Sequence, residues 1–214
     1  MLDFSLPRVI SFSVILLIAF PIHELAHAIA ADYFGDDTPR LHGRLTLNPL
    51  AHLDLFGSLT LILAGFGWAK PVPVNEYALE RRSRYAPALV ALAGPASNLL
   101  LGLLAGGLLA TGLIQPPTEL SRYLPSFYEV LFYFSLINFV LFFFNLIPLF
   151  PLDGEKILIR VLPYEWGVRW ESLRRFTFGP LIVLVWLLPA LNVNLIGSLV
   201  FSPSSWLLRL FIGG

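Results

Sequence analysis

Pro21-Ile22-His23-Glu24-Leu25-Ala26-His27 holds two histidines four residues apart, with a glutamate directly after the first. On a helix, residues i and i+4 share one face, so His23 and His27 can grip one metal ion together. Glu24 stands beside them, able to take a proton from water held there. Two imidazoles and one carboxylate suit zinc, with a fourth position open to water. Four His and eight Glu in 214 residues give about 0.003 chance occurrences of the pattern. A third ligand must come from elsewhere, and the chain has no Cys. His42 and His52 follow the first apolar run. Asp153 lies far downstream, closing the N-x-x-P-x-x-P-L-D-G stretch from Asn145 to Gly154.

The elements that must position these groups are apolar. The chain is 57% hydrophobic and 13% charged, with a mean hydropathy of +0.75. A soluble domain carries about a quarter charged residues. This composition excludes an ordinary cytosolic domain, a disordered chain and a disulfide scaffold. Fourteen basic and fourteen acidic residues cancel, so no charge excess marks a nucleic-acid binder. An integral membrane protein remains, with lipids as its surroundings.

Ala86 to Thr118, Val130 to Leu152 and Phe176 to Leu208 contain no charged residue. Each is at least as long as the roughly 20 residues a spanning helix needs. Val9 to Ala31 is broken only by Glu24. It begins like a signal peptide, but a signal core would not continue through two His and a Glu. Leu55 to Ala69 is charge-free but short, nearer a re-entrant or interfacial length. The expected fold is an all-α integral membrane protein of about four to six membrane segments. A re-entrant or short extended element follows the first helix. One membrane-embedded domain covers 1–214, with a core over 9–160 and C-terminal membrane segments over 176–211. Gly179 to Val200 reads as one span interrupted near Pro189 and Asn192, and Trp206 to Phe211 as a second span or an interfacial helix.

Polar groups in lipid cost several kcal/mol without partners. Histidines bonded to neighbouring backbone are the plainer reading, but two His and a Glu inside one span favour the metal. Pro148 and Pro151 lack amide protons and break the helix before Asp153. Broken helices at depth line sites or cavities. Capping of the next helix explains an Asp at 153, but not the two prolines before it.

These residues together resemble the site-2 proteases, which are intramembrane zinc metalloproteases. The resemblance rests on H-E-x-x-H, on Gly94-Pro95-Ala96-Ser97-Asn98, and on N-x-x-P-x-x-P-L-D-G, in that order, and covers about residues 9–160. It implies one Zn²⁺ held by His23, His27 and Asp153. Glu24 becomes the general base, and Asn145 helps hold the substrate carbonyl. The substrate implied is a single-pass transmembrane protein cut within or near its helix. Many members carry a second Gly after L-D-G, where this chain has Glu155 and Lys156. No PDZ-like insertion separates the Gly94 and Asn145 segments, so the likeness is to a minimal form.

His23 and His27 lie late in the first span and Asp153 just after the Val130 run. They meet only if those spans run parallel, with the Ala86 run crossing once between them. Leu55 to Ala69 must then enter and leave on one side. That arrangement gathers eleven basic residues on one face and three on the other, which predicts an outside N-terminus and a site toward the cytoplasm. Asn98 is a candidate to orient a metal ligand, and His52 to assist at the substrate carbonyl. Gly94, Ala96 and Ser97 suit close helix packing. Lys70-Pro71-Val72-Pro73-Val74-Asn75 is extended by its prolines, suited to lie beside the site or to serve as a plain loop. The rival readings are a membrane metal transporter or sensor, and an inactive scaffold of the same fold.

Overall fold

Several helices in this chain begin at a Pro, Asn or Ser residue. The structure is a computed structural model that describes residues 6–54, 56–57, 69–119, 123–176 and 179–213. Among these residues there is no strand. The first helix, α1, runs Leu6–Tyr33 and carries His23, Glu24 and His27 in its second half. Two short helices follow, α2 (Thr38–Leu41) and α3 (Pro49–His52), each with Pro at its start, where a fixed φ and a missing N–H are tolerated. The next, α4 (Glu76–Arg82), is capped by Asn75, whose side chain accepts from the Ala78 amide.

The two long apolar helices are α5 (Ala86–Ala110) and α6 (Phe127–Asn145), each long and apolar enough to cross a membrane. Ser126 and Glu129 open α6 with reciprocal bonds to each other's backbone amides, which satisfies donors the helix leaves free. Beyond α6 lie α7 (Asp153–Val161), α8 (Tyr164–Glu171) and a 3₁₀ turn, Ser172–Phe176. A further helix, α9, covers Gly179–Ala190. Tyr164–Phe176 and Gly179–Ala190, bent by 75°, are together also long and apolar enough to cross. Among the described residues the candidate spans thus number two or three, and the four to six expected are not established. Most of Leu55–Ala69 lies outside the described residues.

The C-terminal run is interrupted where the sequence suggested, near Pro189 and Asn192. The chain turns after Ala190, with Asn192 at a φ of 62°. A π-helical turn, Gly197–Phe201, then leads into α10 (Ser202–Ile212). Leu195–Val200 therefore belongs with the last helix, because Asn192 in the left-handed region ends the preceding one.

At the centre is α5, which packs against α1, α6 and α7. Gly102 lets α6 approach closely: a Cβ there would sit 2.6 Å from the Phe139 ring. The Ser135 hydroxyl donates to Gly102 O at 2.8 Å in the same contact. Phe139 stacks on Phe211 of α10, with centroids 6.5 Å apart. Ile147 and Leu152, in the turn between α6 and α7, pack with Leu181, Leu184 and Val200. That apolar cluster pins the turn that presents Asp153.

Candidate active site

Helical spacing brings the two histidines together as the sequence implied. Their Nε2 atoms stand 3.0 Å apart, with the rings at 85° to one another. Asp153 comes from across the fold. The α6 helix stops at Asn145, the proline-containing turn follows, and Asp153 is the first residue of α7. Its Oδ2 lies 3.2 Å from His23 Nε2 and 3.3 Å from His27 Nε2. All three side chains are buried. The N-cap of α7 is Leu152, so Asp153 is not its capping residue, and its Oδ2 faces the histidines.

The opposite edges of the rings are held by α5. His27 Nδ1 donates to Val90 O at 2.7 Å, and His23 Nδ1 lies 2.5 Å from Asn98 Oδ1. A carbonyl only accepts, so the neutral His27 ring keeps its proton on Nδ1 and turns the Nε2 lone pair inward. Asp153 Oδ2 is buried with no hydrogen-bond partner, a costly state for a carboxylate oxygen. One donor atom from each residue lies within 4.8 Å of the others. Two inward imidazole nitrogens and an orphaned carboxylate oxygen form a donor set that fits zinc. A metal requires the ionised form of Asp153.

Glu24 is buried beside this cluster. Its Oε2 accepts a hydrogen bond from the Val72 amide at 3.1 Å. The Lys70–Asn75 segment therefore passes over the base, and each end is anchored. Lys70 N donates to His52 O at 2.7 Å and Asn75 N to Asp36 Oδ2 at 2.7 Å. An isolated antiparallel bridge joins Leu53 to Ala69. Buried Arg44 ties the same two stretches by donating to Ala51 O and Lys70 O.

The remaining candidates are placed as follows. His42 is exposed and bonded through Nδ1 to Thr38 O. His52 is fully buried, with Nε2 on Thr46 O at 2.8 Å. Neither joins the His23–His27–Asp153 cluster. Asn145 ends α6, and its amide donates to Leu141 O at 3.0 Å. Asn98 is fully buried against His23 and also donates to Asn138.

Sequence reasoning missed the backbone partners, Val90 O and the Val72 amide, which no residue type announces. It took Gly94 for helix packing alone. A Cβ at Gly94 would overlap His27 Nε2 and come within 2.6 Å of His23 Nε2, so this glycine makes room for the ligands. Gly154 is similarly confined, since its Cβ would meet the Leu146 carbonyl and lie 2.6 Å from Ile147 O. Glu155 is buried and paired at 2.6 and 2.9 Å with Arg174. Its departure from a second glycine was the sequence signal, and an ion pair across to the 3₁₀ turn is the reason.

The class this defines is a metal-dependent hydrolase built into a bundle of apolar helices. Comparisons with known proteins are specific. The model for "Peptidase family M50" matches residues 121–168. A protein named "Putative zinc metalloprotease YwhC" from Bacillus subtilis is 42% identical over 192 residues, covering 88% of this chain and 82% of that one. Two proteins named "Putative zinc metalloprotease Rip2", from Mycolicibacterium smegmatis and Mycobacterium tuberculosis, are 32% and 33% identical over 182 residues. Those alignments cover 82% of this chain and 66% of each relative. No solved structure matches the chain. The chain belongs to peptidase family M50, the site-2 protease family, and is a zinc metalloprotease.

Proposed function

We propose that this protein is an intramembrane endopeptidase that hydrolyses a peptide bond within or near the transmembrane helix of a single-pass protein. The observation that carries the reading is a three-donor cluster with a further carboxylate, Glu24, beside it, buried among apolar helices. His23, His27 and Asp153 would hold one zinc ion, which when bound would supply Lewis acidity to the substrate carbonyl and to water. Glu24 takes the proton of the attacking water on its carboxylate and passes it to the leaving nitrogen. Asn98 fixes the His23 ring. Asn145 uses one amide N–H on Leu141 O and has a second to offer the developing oxyanion.

A helical substrate hides its peptide groups in its own hydrogen bonds, so it must unwind before it is cut. The anchored, extended Lys70–Asn75 segment beside Glu24 supports a role in holding the unwound piece by strand addition. The charge distribution supports further crossings by α1 and the C-terminal helices, an outside N-terminus and a site toward the cytoplasm. Tags at the N-terminus and in the Glu76–Tyr85 loop should report opposite sides. Finding both on one side overturns the topology.

The ligand set is tested by metal analysis of purified variants. Asp153→Ala should become substoichiometric in zinc. His42→Ala should retain wild-type zinc, since its ring is exposed and engaged with Thr38 O. Equal zinc in Asp153→Ala and the wild type would refute the site.

A further inference from the structure

His23 can bind a metal through Nε2 only if its proton sits on Nδ1. The partner at Nδ1 is the side chain of Asn98, and an amide can present either an acceptor or a donor. If Asn98 turned its NH₂ to His23, the imidazole proton would move to Nε2 and block the site. Something must fix which way this amide faces.

Asn138 of α6 does so. It is fully buried. Its Nδ2 donates to Phe134 O at 2.8 Å, and its Oδ1 accepts from Asn98 Nδ2 at 2.9 Å. Phe134 O is a backbone carbonyl and accepts only. The Asn138 atom facing it must therefore be nitrogen, which leaves oxygen facing Asn98. Asn98 must answer with its own nitrogen, so its oxygen faces His23 Nδ1. Flipping either amide sets oxygen against oxygen or nitrogen against nitrogen in a buried setting, where an unmade bond costs most. We propose that Asn138 is a positioning residue: through Asn98 it sets the His23 tautomer that binds zinc. The polarity originates in one carbonyl of α6 and reaches the metal ligand on α1 by way of α5.

This inference rests on the zinc site proposed above, and its test separates the two. Zinc affinity is measured on purified variants by competition with a chelator, alongside thermal unfolding of the zinc-free forms. Asn138→Leu keeps a similar volume but removes the acceptor for Asn98. It should weaken zinc binding by about tenfold, the lower end of what lost outer partners of a ligand cost. Asn138→Asp, its carboxyl held neutral by burial, offers the same acceptor and a donor for Phe134 O. It should bind zinc as the wild type does. The decisive variant is Asn98→Asp in the Asn138→Leu background. Unlike position 138, position 98 adjoins the His23 imidazole, whose N–H and bound metal keep a carboxylate ionised there. It presents oxygen to His23 whichever way it turns, so zinc affinity should recover. A packing role for Asn138 predicts no recovery. Wild-type affinity in Asn138→Leu, equal weakening in Asn138→Asp, or failure of the rescue each overturns the proposal. Should Asn138→Leu not fold, affinity in Asn138→Asp decides alone. Asp153→Ala in the same assay reports on the ligand set: if it loses zinc while Asn138→Leu does not, only this inference fails.

Discussion

Glu24→Gln will leave zinc in place and lower peptide hydrolysis by about 10²- to 10⁴-fold, the usual contribution of a positioned general base. Glutamine has the same shape and retains a carbonyl oxygen for the Val72 amide, which lies 3.1 Å from Glu24 Oε2. The Lys70–Asn75 segment therefore keeps its anchor over the site. The three donor atoms of the metal cluster come from His23, His27 and Asp153, so zinc content should match the wild type. What disappears is the acceptor for the proton of water. The loss should fall on kcat and leave KM nearly unchanged, because the removed interaction belongs to the transition state. Metal content and cleavage of a single-pass helical substrate are the two measurements. Full cleavage by the variant would remove Glu24 from the mechanism. The same variant discriminates against a metal transporter, which has no need of a proton acceptor beside its ligands. In cells, membrane fragments present with the wild type and absent with Glu24→Gln identify the substrate.

Parts of this site were legible because they obey chemical periodicity. The i, i+4 spacing of His23 and His27 survives any tertiary detail, since it is a property of the helix. The break at Pro148 and Pro151 is equally local, and α6 does end three residues before Pro148. Other parts depend on atoms that have no letter in the sequence. Val90 O and the Val72 amide hold His27 and Glu24, yet any residue would supply them. Asn138 did carry a sign, as a polar side chain within a Phe-rich run where a burial cost demands a partner. Its meaning required knowing that α5 lies between it and His23. The number of crossings was less legible: the sequence marks an interruption near Pro189 and Asn192, but not whether the segments on either side of it each cross. The turn at Asn192 divides them.

Gly94→Ala should lower zinc affinity on the order of 100-fold, the upper end of what changes around a metal ligand cost. The added methyl overlaps His27 Nε2 and falls 2.6 Å from His23 Nε2. Neither ring can retreat freely. His27 is fastened to Val90 O and His23 to Asn98, and these lie four residues before and four after Gly94 on α5. One face of α5 thus grips the outer edge of each imidazole and leaves a gap, at the glycine, for their inner edges. Relief must come from breaking one of those bonds or from moving α5 off α1, a displacement that costs about 1–3 kcal/mol in a packed interior. Either route misplaces a ligand. Gly107→Ala is the matched control, since a Cβ there meets nothing within 4 Å. It should keep zinc and, by helix propensity, gain up to ~1 kcal/mol of stability. Chelator competition on the two alanine variants measures the contrast. Wild-type zinc affinity in Gly94→Ala would mean the rings have other room, and that α5 does not brace them. Loss confined to Gly94→Ala would explain why a flexible residue stands in mid-helix at a cost to that helix: the space belongs to the metal centre.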